Sequence, residues 1–283
     1  MPRHVLITGA STGLGLATAR ELVRHGYHVF GSVRKEADGK RVREELGAAF
    51  TPLVFDVTDH GAISSAVELV RSQIGAEPLA AVVNNAGLNA IAPLAHQPLD
   101  EVRRLFDVNV LGVIAVTQAF LPLLKAGRDA GHAPGRVVNV SSVSGAVTMP
   151  FLGAYSATKH ALESVTDALR RELAIYGIHV VAVEPGSIRT PIFDKVGEVD
   201  PRYASTDYAP ALATMPQVLA REWKGAIPIE KVTRTIRTAI EVPRPKTRYP
   251  LTALWHARTW LSDRMLDRVT TRAMGLRRIP RRS

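Results

Sequence analysis

Short apolar runs alternate with helical stretches over the first two thirds of the chain, and this alternation constrains the fold more than any other feature. Strands are predicted at His4–Thr8, His28–Val33, Thr51–Phe55, Ala80–Asn84, Arg136–Val140 and His179–Val183. Helices are predicted between them at Leu14–His25, Glu36–Leu46, Gly61–Ile74, Leu99–Leu124 and Ala157–Tyr176. The strands are apolar throughout, as expected when helices cover both faces of a parallel sheet. The pattern predicts a doubly wound α/β fold of about seven strands.

The last third of the chain follows a different pattern. Residues 185–228 are rich in Pro, Gly and Asp, and we interpret 187–228 as an irregular substrate lid, because long loops in compact domains usually serve function. A helix is predicted at Glu230–Glu241, a short extended piece at Lys246–Leu251 and a last helix over about 253–274. The tail 277–283 is expected to be disordered. No linker divides the chain, so we predict a single domain over 1–283 with its core at 3–192.

Composition excludes some classes of function. The chain has no cysteine, so disulfides, thiolate nucleophiles and cysteine-ligated metals are excluded, and no metal site is expected. The net charge of +10 is concentrated at the C-terminal end: residues 221–283 hold 16 Lys and Arg against 5 Asp and Glu. A nucleic-acid binder more often carries a basic face over its whole domain, so we expect no nucleic-acid partner.

The last predicted helix is basic and amphipathic. Leu254, Leu261, Met265 and Val269 fall near one face of it, with Trp255 close by, and Arg264, Arg268 and Arg272 form a ridge at i, i+4 spacing. One interpretation is peripheral contact with an anionic membrane. The other is a helix that packs its apolar face on the lid. The start of the chain is interrupted by Gly9 too early for a signal peptide, so we expect a soluble, cytoplasmic protein.

A glycine-rich loop follows the first predicted strand and opens the first helix. It reads Gly9-Ala10-Ser11-Thr12-Gly13-Leu14-Gly15. Gly9 allows a sharp turn, Gly13 a close approach of the backbone to a pyrophosphate, and Gly15 tight packing of the helix on the sheet. The phosphates would then lie against the N–H groups at the helix start. This position predicts a dinucleotide cofactor.

The end of the second strand indicates which dinucleotide. A carboxylate here would bind the ribose 2′-hydroxyl of NAD, but Val33 stands at that position. Arg34 and Lys35 follow and suit a 2′-phosphate, to which Ser11 or Thr12 would add a hydroxyl. We favour NADP(H), with NAD(H) as the alternative.

Tyr155 and Lys159 open a helix at a spacing that places both on one face. A nearby ammonium favours the phenolate and is expected to lower the pKa of Tyr155 from its ordinary value of about 10. Ser142 follows the strand Arg136–Val140, where its hydroxyl would bond the reacting oxygen, and Ser141 is its nearest rival. His96 and His160 are interpreted as surface or helix-flank residues.

The glycine loop, Asn84-Asn85-Ala86-Gly87, Asn109, Ser141-Ser142 and Tyr155…Lys159 occur in one order at strand ends and helix starts. In this combination the chain resembles the short-chain dehydrogenase/reductase family, of the single-domain Rossmann type. The resemblance runs over residues 3–192 and includes Pro185-Gly186-Ser187-Ile188-Arg189-Thr190. Shorter stretches, such as Gly26-Tyr27-His28-Val29-Phe30 and Val183-Glu184-Pro185-Gly186, are similar to its hydroxysteroid and retinol dehydrogenase branch.

The resemblance implies roles for these residues. Hydride passes between the nicotinamide and a carbonyl or alcohol, with Tyr155 as acid and base and Ser142 polarising the oxygen. Lys159 assists Tyr155 and bonds the ribose, and Asn109 holds a water. The cofactor would also contact Asp56 and Val57 at the adenine, Asn85, Ala86 and Gly87 at the ribose, and Pro185, Gly186, Ile188 and Thr190 near the nicotinamide. Family members often form dimers or tetramers, which we therefore expect.

The loop between Ser142 and Tyr155 carries no charge and predicts an apolar substrate pocket. Its candidate lining residues are Val147, Met149, Phe151 and Leu152. These residues could instead only pack the loop. The leading hypothesis is an NADP(H)-dependent carbonyl reductase or alcohol dehydrogenase for a small lipophilic substrate. The alternatives are a 3-oxoacyl-thioester reductase and a non-enzymatic NADPH-sensing scaffold.

Overall fold

A computed structural model of the chain describes residues 3–125, 133–188 and 200–276. Seven parallel strands form one sheet in the order β3-β2-β1-β4-β5-β6-β7. Their bounds are β1 Arg3–Ile7, β2 Tyr27–Val33, β3 Phe50–Val54, β4 Leu79–Asn84, β5 Arg136–Val140, β6 His179–Glu184 and β7 Arg248–Pro250. The fold prediction is confirmed. The order changes direction between β1 and β4, so the carboxyl ends of these strands flank the crevice where such sheets bind ligands.

Helices cover both faces of the sheet, and each helix buries an apolar stripe against it. One face carries α1 (Gly13–Arg24), α2 (Glu36–Leu46) and α9 (Ile229–Glu241). The other carries α3 (His60–Ile74), α5 (Gly112–Lys125) and α6 (Gly153–Glu172). The core of the first face includes Ile7, Leu22 and Ile236, and that of the second includes Leu6, Val70 and Phe120. All six side chains are fully buried, so the sheet has no solvated face in its centre.

The predicted helix Leu99–Leu124 contains an irregular turn. α4 (Leu99–Phe106) continues through a π-helical turn at Asp107–Leu111 into α5. Leu99–Lys125 is long and apolar enough to cross a membrane by length and composition, but 56 % of its most apolar window is buried inside the structure. Phe120 and Leu124 pack in the core of the sheet, so we describe it as a core helix. π turns inside helices often mark functional positions.

The prediction of an irregular lid is wrong for its described part. A short 3₁₀ helix (Pro201–Tyr203), α7 (Ala209–Leu212) and α8 (Met215–Lys224) lie within residues 200–228. Proline stands in the first turn of each. Its missing N–H does not weaken the helix there, because N–H groups of the first turn have no partner within the helix. The prolines that indicate a loop in the sequence therefore mark helix starts. The other part of the predicted lid, 189–199, lies outside the described residues.

The prediction of one continuous C-terminal helix is also wrong. A 3₁₀ turn (Ala253–His256) leads into α10 (Ala257–Trp260), and α11 (Asp263–Ala273) begins only after a break. Leu261 and Ser262 are extended, with ψ angles of 138° and 155°. The break changes which face of the segment is buried: Thr270 and Met274 point inward, while Met265 and Val269 are 49 % and 58 % exposed. The predicted tail 277–283 lies outside the described residues.

Candidate active site

The loop after β1 leaves no room for side chains at its closest approach to α1. Gly9 (φ +68°) and Gly13 (φ +54°) adopt left-handed conformations. A Cβ on Gly15 would lie 2.2 Å from the carbonyl oxygen of Gly9, which no neighbour can relieve because the contact is backbone. Thr12 precedes α1 and makes no side-chain capping bond, so the N–H groups of the helix start remain available to an anion. The loop fits the pyrophosphate of a dinucleotide.

The loop after β4 is bonded directly to the glycine loop. The Thr8 hydroxyl accepts from the backbone N–H groups of Asn85 and Ala86, both at 2.9 Å. The Asn85 side-chain amide donates to the Thr8 carbonyl oxygen at 2.9 Å. These bonds place Asn85, Ala86 and Gly87 at the crevice between β1 and β4, as the sequence predicts for a ribose contact.

The end of β2 presents positive charge beside the glycine loop. Val33 is 2 % exposed, so the residue at the position of the missing carboxylate is buried. Arg34 and Lys35 are exposed, and neither forms an ion pair with any described residue. The backbone is fixed there because Gly9 N–H donates to the Ser32 hydroxyl at 2.9 Å and Ala10 N–H to the Ser32 carbonyl at 2.8 Å.

Arg41 is a candidate binding residue that the sequence analysis missed. It lies on α2, and its Nη2 donates to the carbonyl oxygen of Ser11 at 2.6 Å. Asp38 Oδ1 lies 3.5 Å from Arg41 Nη2, and both side chains are exposed to solvent. Arg41 thus places a cation against Ser11, in addition to Arg34 and Lys35 at the end of β2. Only the packing of α2 reveals this contact, since nothing in the sequence relates Arg41 to the loop.

Ser142, Tyr155 and Lys159 meet at the carboxyl end of β5. Ser142 follows the strand, and Tyr155 and Lys159 occupy the first two turns of α6. Lys159 is 6 % exposed, and its Nζ donates to the Val140 carbonyl oxygen at 2.9 Å. The same Nζ lies 5.8 Å from the centre of the Tyr155 ring. The Val140 carbonyl therefore uses one of the three ammonium donors.

The two candidate serines face different partners. The Ser142 hydroxyl accepts from Ser144 N–H at 3.1 Å and contacts the Tyr155 hydroxyl. Ser141 is 3 % exposed and faces Glu163 on α6. The structure therefore brings Ser142, and not Ser141, to Tyr155, as the sequence predicts.

Asn109 lies in the π-helical turn and is 1 % exposed. Its Oδ1 accepts from Leu88 N–H at 2.8 Å, and its Nδ2 donates to the Leu88 carbonyl at 2.9 Å and to the Thr158 hydroxyl at 3.0 Å. The side chain therefore joins the loop after β4 to α6. These bonds use both Nδ2 hydrogens, so the Asn109 amide has no donor left for a water.

Burial controls the charge states of Tyr155 and Lys159. Burial raises the pKa of Tyr155, and contact with Ser142 only partly opposes it. Burial lowers the pKa of Lys159 to about 8, against the opposing charge of Glu163. The expected lowering of the Tyr155 pKa by the ammonium is therefore outweighed by loss of hydration around the phenol.

The remaining predicted cofactor contacts lie along the same edge of the sheet. The Asp56 carboxylate accepts hydrogen bonds from the Thr58 N–H at 3.0 Å and from the Thr58 hydroxyl at 2.8 Å. Val57 is buried against Gly112, where a Cβ would lie 2.7 Å from a Val57 methyl. This packing brings the start of α5 close to the end of β3.

The segment after β6 is bonded to the loop that holds Ser142. The Pro185 carbonyl accepts from Val143 N–H at 2.8 Å, and Ile188 forms a parallel bridge with Ile227. A Cβ on Gly186 would lie 2.6 Å from Thr252. Thr190 lies outside the described residues.

Two of the four predicted substrate residues, Met149 and Phe151, pack in a third apolar cluster. Val147 and Phe151 are buried, and Met149 and Leu152 are half-buried. Phe151 has φ +66°, an unfavourable conformation for a residue with a side chain, and packs in a cluster with Tyr203, Leu212, Met215 and Met274. α11 lies over the loop, and its Leu266 and Thr270 border a cleft with Val147.

His96 and His160 have structural contacts. The His96 ring lies edge-on to Tyr208, with 5.7 Å between the ring centres. The His160 Nδ1 lies 2.9 Å from the Ser156 carbonyl oxygen of its own helix. Neither contact involves Tyr155 or Lys159.

Comparison with known proteins identifies the family. A sequence profile described as short chain dehydrogenase matches residues 3–200. The NADPH-dependent 3-dehydrocapnine reductase of Ornithobacterium rhinotracheale is 40 % identical over 94 % of this chain and 95 % of its own. The 17-beta-hydroxysteroid dehydrogenase type 6 of Rattus norvegicus is 32 % identical over 90 % and 82 %. A short-chain dehydrogenase structure from Streptomyces avermitilis superposes with a TM-score of 0.75, at 29 % identity over 97 % of this chain and 96 % of that one. The protein is an oxidoreductase of the short-chain dehydrogenase family.

Proposed function

We propose that the protein is an NADPH-dependent reductase of a lipophilic ketone or aldehyde, and that the reaction is reversible. The observation that carries this proposal is the meeting of Ser142, Tyr155 and Lys159 at the carboxyl edge of the sheet, beside the glycine loop. The 40 % identical reductase from Ornithobacterium rhinotracheale supports the direction of reduction and the use of NADPH.

The chemistry needs one hydride and one proton for each carbonyl reduced. A nicotinamide held beside the glycine loop would supply the hydride. Tyr155 donates its phenolic proton to the carbonyl oxygen, and Ser142 donates a hydrogen bond to the same oxygen. A raised pKa keeps Tyr155 protonated at neutral pH, which suits a proton donor.

Lys159 and Asn109 support Tyr155 without transferring hydride. The Lys159 ammonium lies close enough to stabilise the phenolate that forms after proton transfer, and its free donors would bond the cofactor ribose. Asn109 fixes the position of Thr158, the neighbour of Lys159, so the π turn and α6 keep a constant separation. Proton return to Tyr155 would pass from solvent along the π turn to Lys159.

Arg34, Lys35 and Arg41 would bind the 2′-phosphate of NADPH. We expect Arg34→Asp to lower kcat/KM for NADPH roughly 10- to 100-fold and to change that for NADH little, because a carboxylate repels the phosphate and accepts from a ribose hydroxyl. Steady-state kinetics with both cofactors measures the ratio. Arg71→Asp is the matched control, because it makes the same charge change at the opposite end of the sheet. An unchanged ratio in Arg34→Asp excludes this assignment.

The substrate would lie against Val147, Met149, Phe151 and Leu152. None of these residues carries a charge, and the hydroxysteroid dehydrogenase relative supports a lipophilic substrate. The test is NADPH oxidation with a panel of steroid, retinoid and long-chain ketones, 3-oxoacyl thioesters and 3-dehydrocapnine. Turnover of thioesters alone would favour the acyl-thioester alternative. Tight NADPH binding with no turnover of any compound would contradict the proposed function.

The outer surface of the C-terminal segment would dock on an anionic membrane, from which a lipophilic substrate could enter. This surface consists of Leu254, Trp260, Met265 and Val269 with Arg264, Arg268 and Arg272. Trp260 is 82 % exposed, which is unusual for so large an apolar side chain. Apolar residues flanked by arginines suit the boundary of an anionic bilayer. The exposed Asp263 and Asp267 offset part of the positive charge of α11.

Vesicle flotation of the full chain tests this docking. We expect the protein to float with vesicles containing phosphatidylserine and to stay in solution with phosphatidylcholine alone. Substituting Arg264, Arg268 and Arg272 with Gln should abolish flotation, because each basic residue near such a surface contributes about 1 kcal/mol. Failure of the wild-type protein to float would contradict membrane docking. A change in oligomeric state in the substituted protein would contradict it too, because the surface would then be a subunit interface.

A further inference from the structure

Two buried glutamates, Glu163 and Glu184, meet the half-buried Arg248 one turn beyond Lys159. Glu163 lies one turn after Lys159 on α6, Glu184 ends β6, and Arg248 stands on β7. Arg248 Nε lies 3.0 Å from Glu163 Oε2 and 3.7 Å from Glu184 Oε1. Two carboxyl groups thus share one guanidinium nitrogen. None of these residues belongs to the catalytic set derived above.

The two carboxyl groups differ in charge. Glu184 is fully buried, and neither of its oxygens has a well-formed hydrogen bond among the described residues. Its burial, with the charge of Glu163, raises its pKa to about 8, so it holds a proton at neutral pH. Burial raises the pKa of Glu163 as well, while its contacts with Ser141 and Arg248 oppose that rise. Because Glu163 Oε2 lies closer to Arg248 than Glu184 Oε1 does, we assign the negative charge to Glu163.

Every charged neighbour of Glu163 enters this balance. Lys159 precedes it on α6 and Asp167 follows it, while Glu184 and Arg248 face it from β6 and β7. Asp167 is held by Arg170 at 3.0 Å and by Arg248 at 2.9 Å. Gly145 closes the cluster, since a Cβ there would lie 3.0 Å from Glu163 Cγ and 3.2 Å from the Lys159 carbonyl. Water therefore has little room to screen the charge of Glu163 from Lys159.

We propose that Glu163 is a positioning residue: its carboxylate, oriented by Arg248 and placed one turn from Lys159 on the same face of α6, stabilises the Lys159 ammonium. The proposal rests on the proposed function, because it assigns Glu163 its effect through Lys159. This role gives a reason for the ion pair of Glu163 and Arg248, since an ion pair removed from water stabilises the fold little by itself.

The titration of Lys159 tests the proposal without any cofactor. In protein labelled with ¹⁵N-lysine, the Lys159 signal is identified by its loss in Lys159→Arg. We expect Glu163→Gln to lower its titration midpoint by roughly half to one pH unit, because the opposing charge is removed while size and the bond to Arg248 are kept. Glu163→Asp, which keeps the charge, should restore most of the midpoint. The alkaline limb of kcat/KM for carbonyl reduction should move in the same direction.

Asp167→Asn is the matched control, since it removes an equal charge from the same helix face and the same arginine, one turn further from Lys159. It should leave the Lys159 midpoint and the alkaline limb in place. An unchanged midpoint in folded Glu163→Gln, or an equal shift in Asp167→Asn, overturns the proposal. If the wild-type protein reduces no carbonyl compound, the proposed function fails, and the lysine titration still decides the role of Glu163.

Discussion

Tyr155→Phe is expected to lower kcat for carbonyl reduction by about a thousandfold, the middle of the range for removal of a general acid. The substitution deletes only the hydroxyl that donates the proton. The ring would keep its place in the first turn of α6, and Ser142 would keep its bond from Ser144 N–H. NADPH binding should change by less than about threefold, because it depends on the glycine loop and Lys159 rather than on the phenol.

Single-turnover kinetics and NADPH titration by fluorescence measure these two quantities separately. Tyr176→Phe is the matched control, because it removes a phenolic hydroxyl in the turn after α6, at the opposite end of that helix. Its kcat should equal that of the wild type. A Tyr155→Phe protein that folds, binds NADPH and retains more than about a tenth of wild-type kcat would exclude Tyr155 as the proton donor.

Glu184→Gln is expected to make the protein more stable than the wild type at pH 8, although at pH 5 the two should be similar. The cause is the pKa of Glu184, which burial raises to about 8 in the folded protein. An unfolded chain ionises this residue near its ordinary value of 4.5. Between these two values the unfolded state releases a proton that the folded state keeps, so the wild type loses stability as pH rises.

The expected gain of Glu184→Gln relative to the wild type between pH 5 and pH 8 is about 4 kcal/mol. The glutamine has the shape of the protonated acid and no charge to bury. The pKa of Lys159 is lowered to about 8, so Lys159 changes the stability mainly above pH 8. This change is the same in both proteins and cancels in the comparison. Urea unfolding followed by tryptophan fluorescence at both pH values measures the difference. An equal difference at pH 5 and pH 8 would show that Glu184 is not protonated in the folded protein.

The positions of the strands along the chain and the candidate catalytic side chains could be predicted because both depend on local patterns. Apolar runs of strand length locate the sheet to within one residue at each end, as His179–Val183 and β6 illustrate. The spacing of Tyr155 and Lys159 places both on one face wherever a helix forms. The glycine loop is equally local, since Gly15 must lack a side chain for α1 to contact Gly9.

The lid and the C-terminal helix could not be predicted because their signals are ambiguous without tertiary contacts. Pro210 and Pro216 are compatible with either a loop or a helix start, and the packing of α7 and α8 on Phe151 selects the helix. The face of α11 that is buried follows from the break at Leu261, which periodicity over 253–274 does not reveal.

The sequence by itself determined the doubly wound sheet, the dinucleotide loop and the positions of Ser142, Tyr155 and Lys159, because each depends on residues close together in the chain. Only the tertiary structure decided the charge states of these residues. The raised pKa of Tyr155 and the lowered pKa of Lys159 come from burial, which depends on every element around them. Glu163, Glu184 and Arg248 meet only because α6, β6 and β7 pack together. They lie too far apart in the chain for residue spacing to predict the contact.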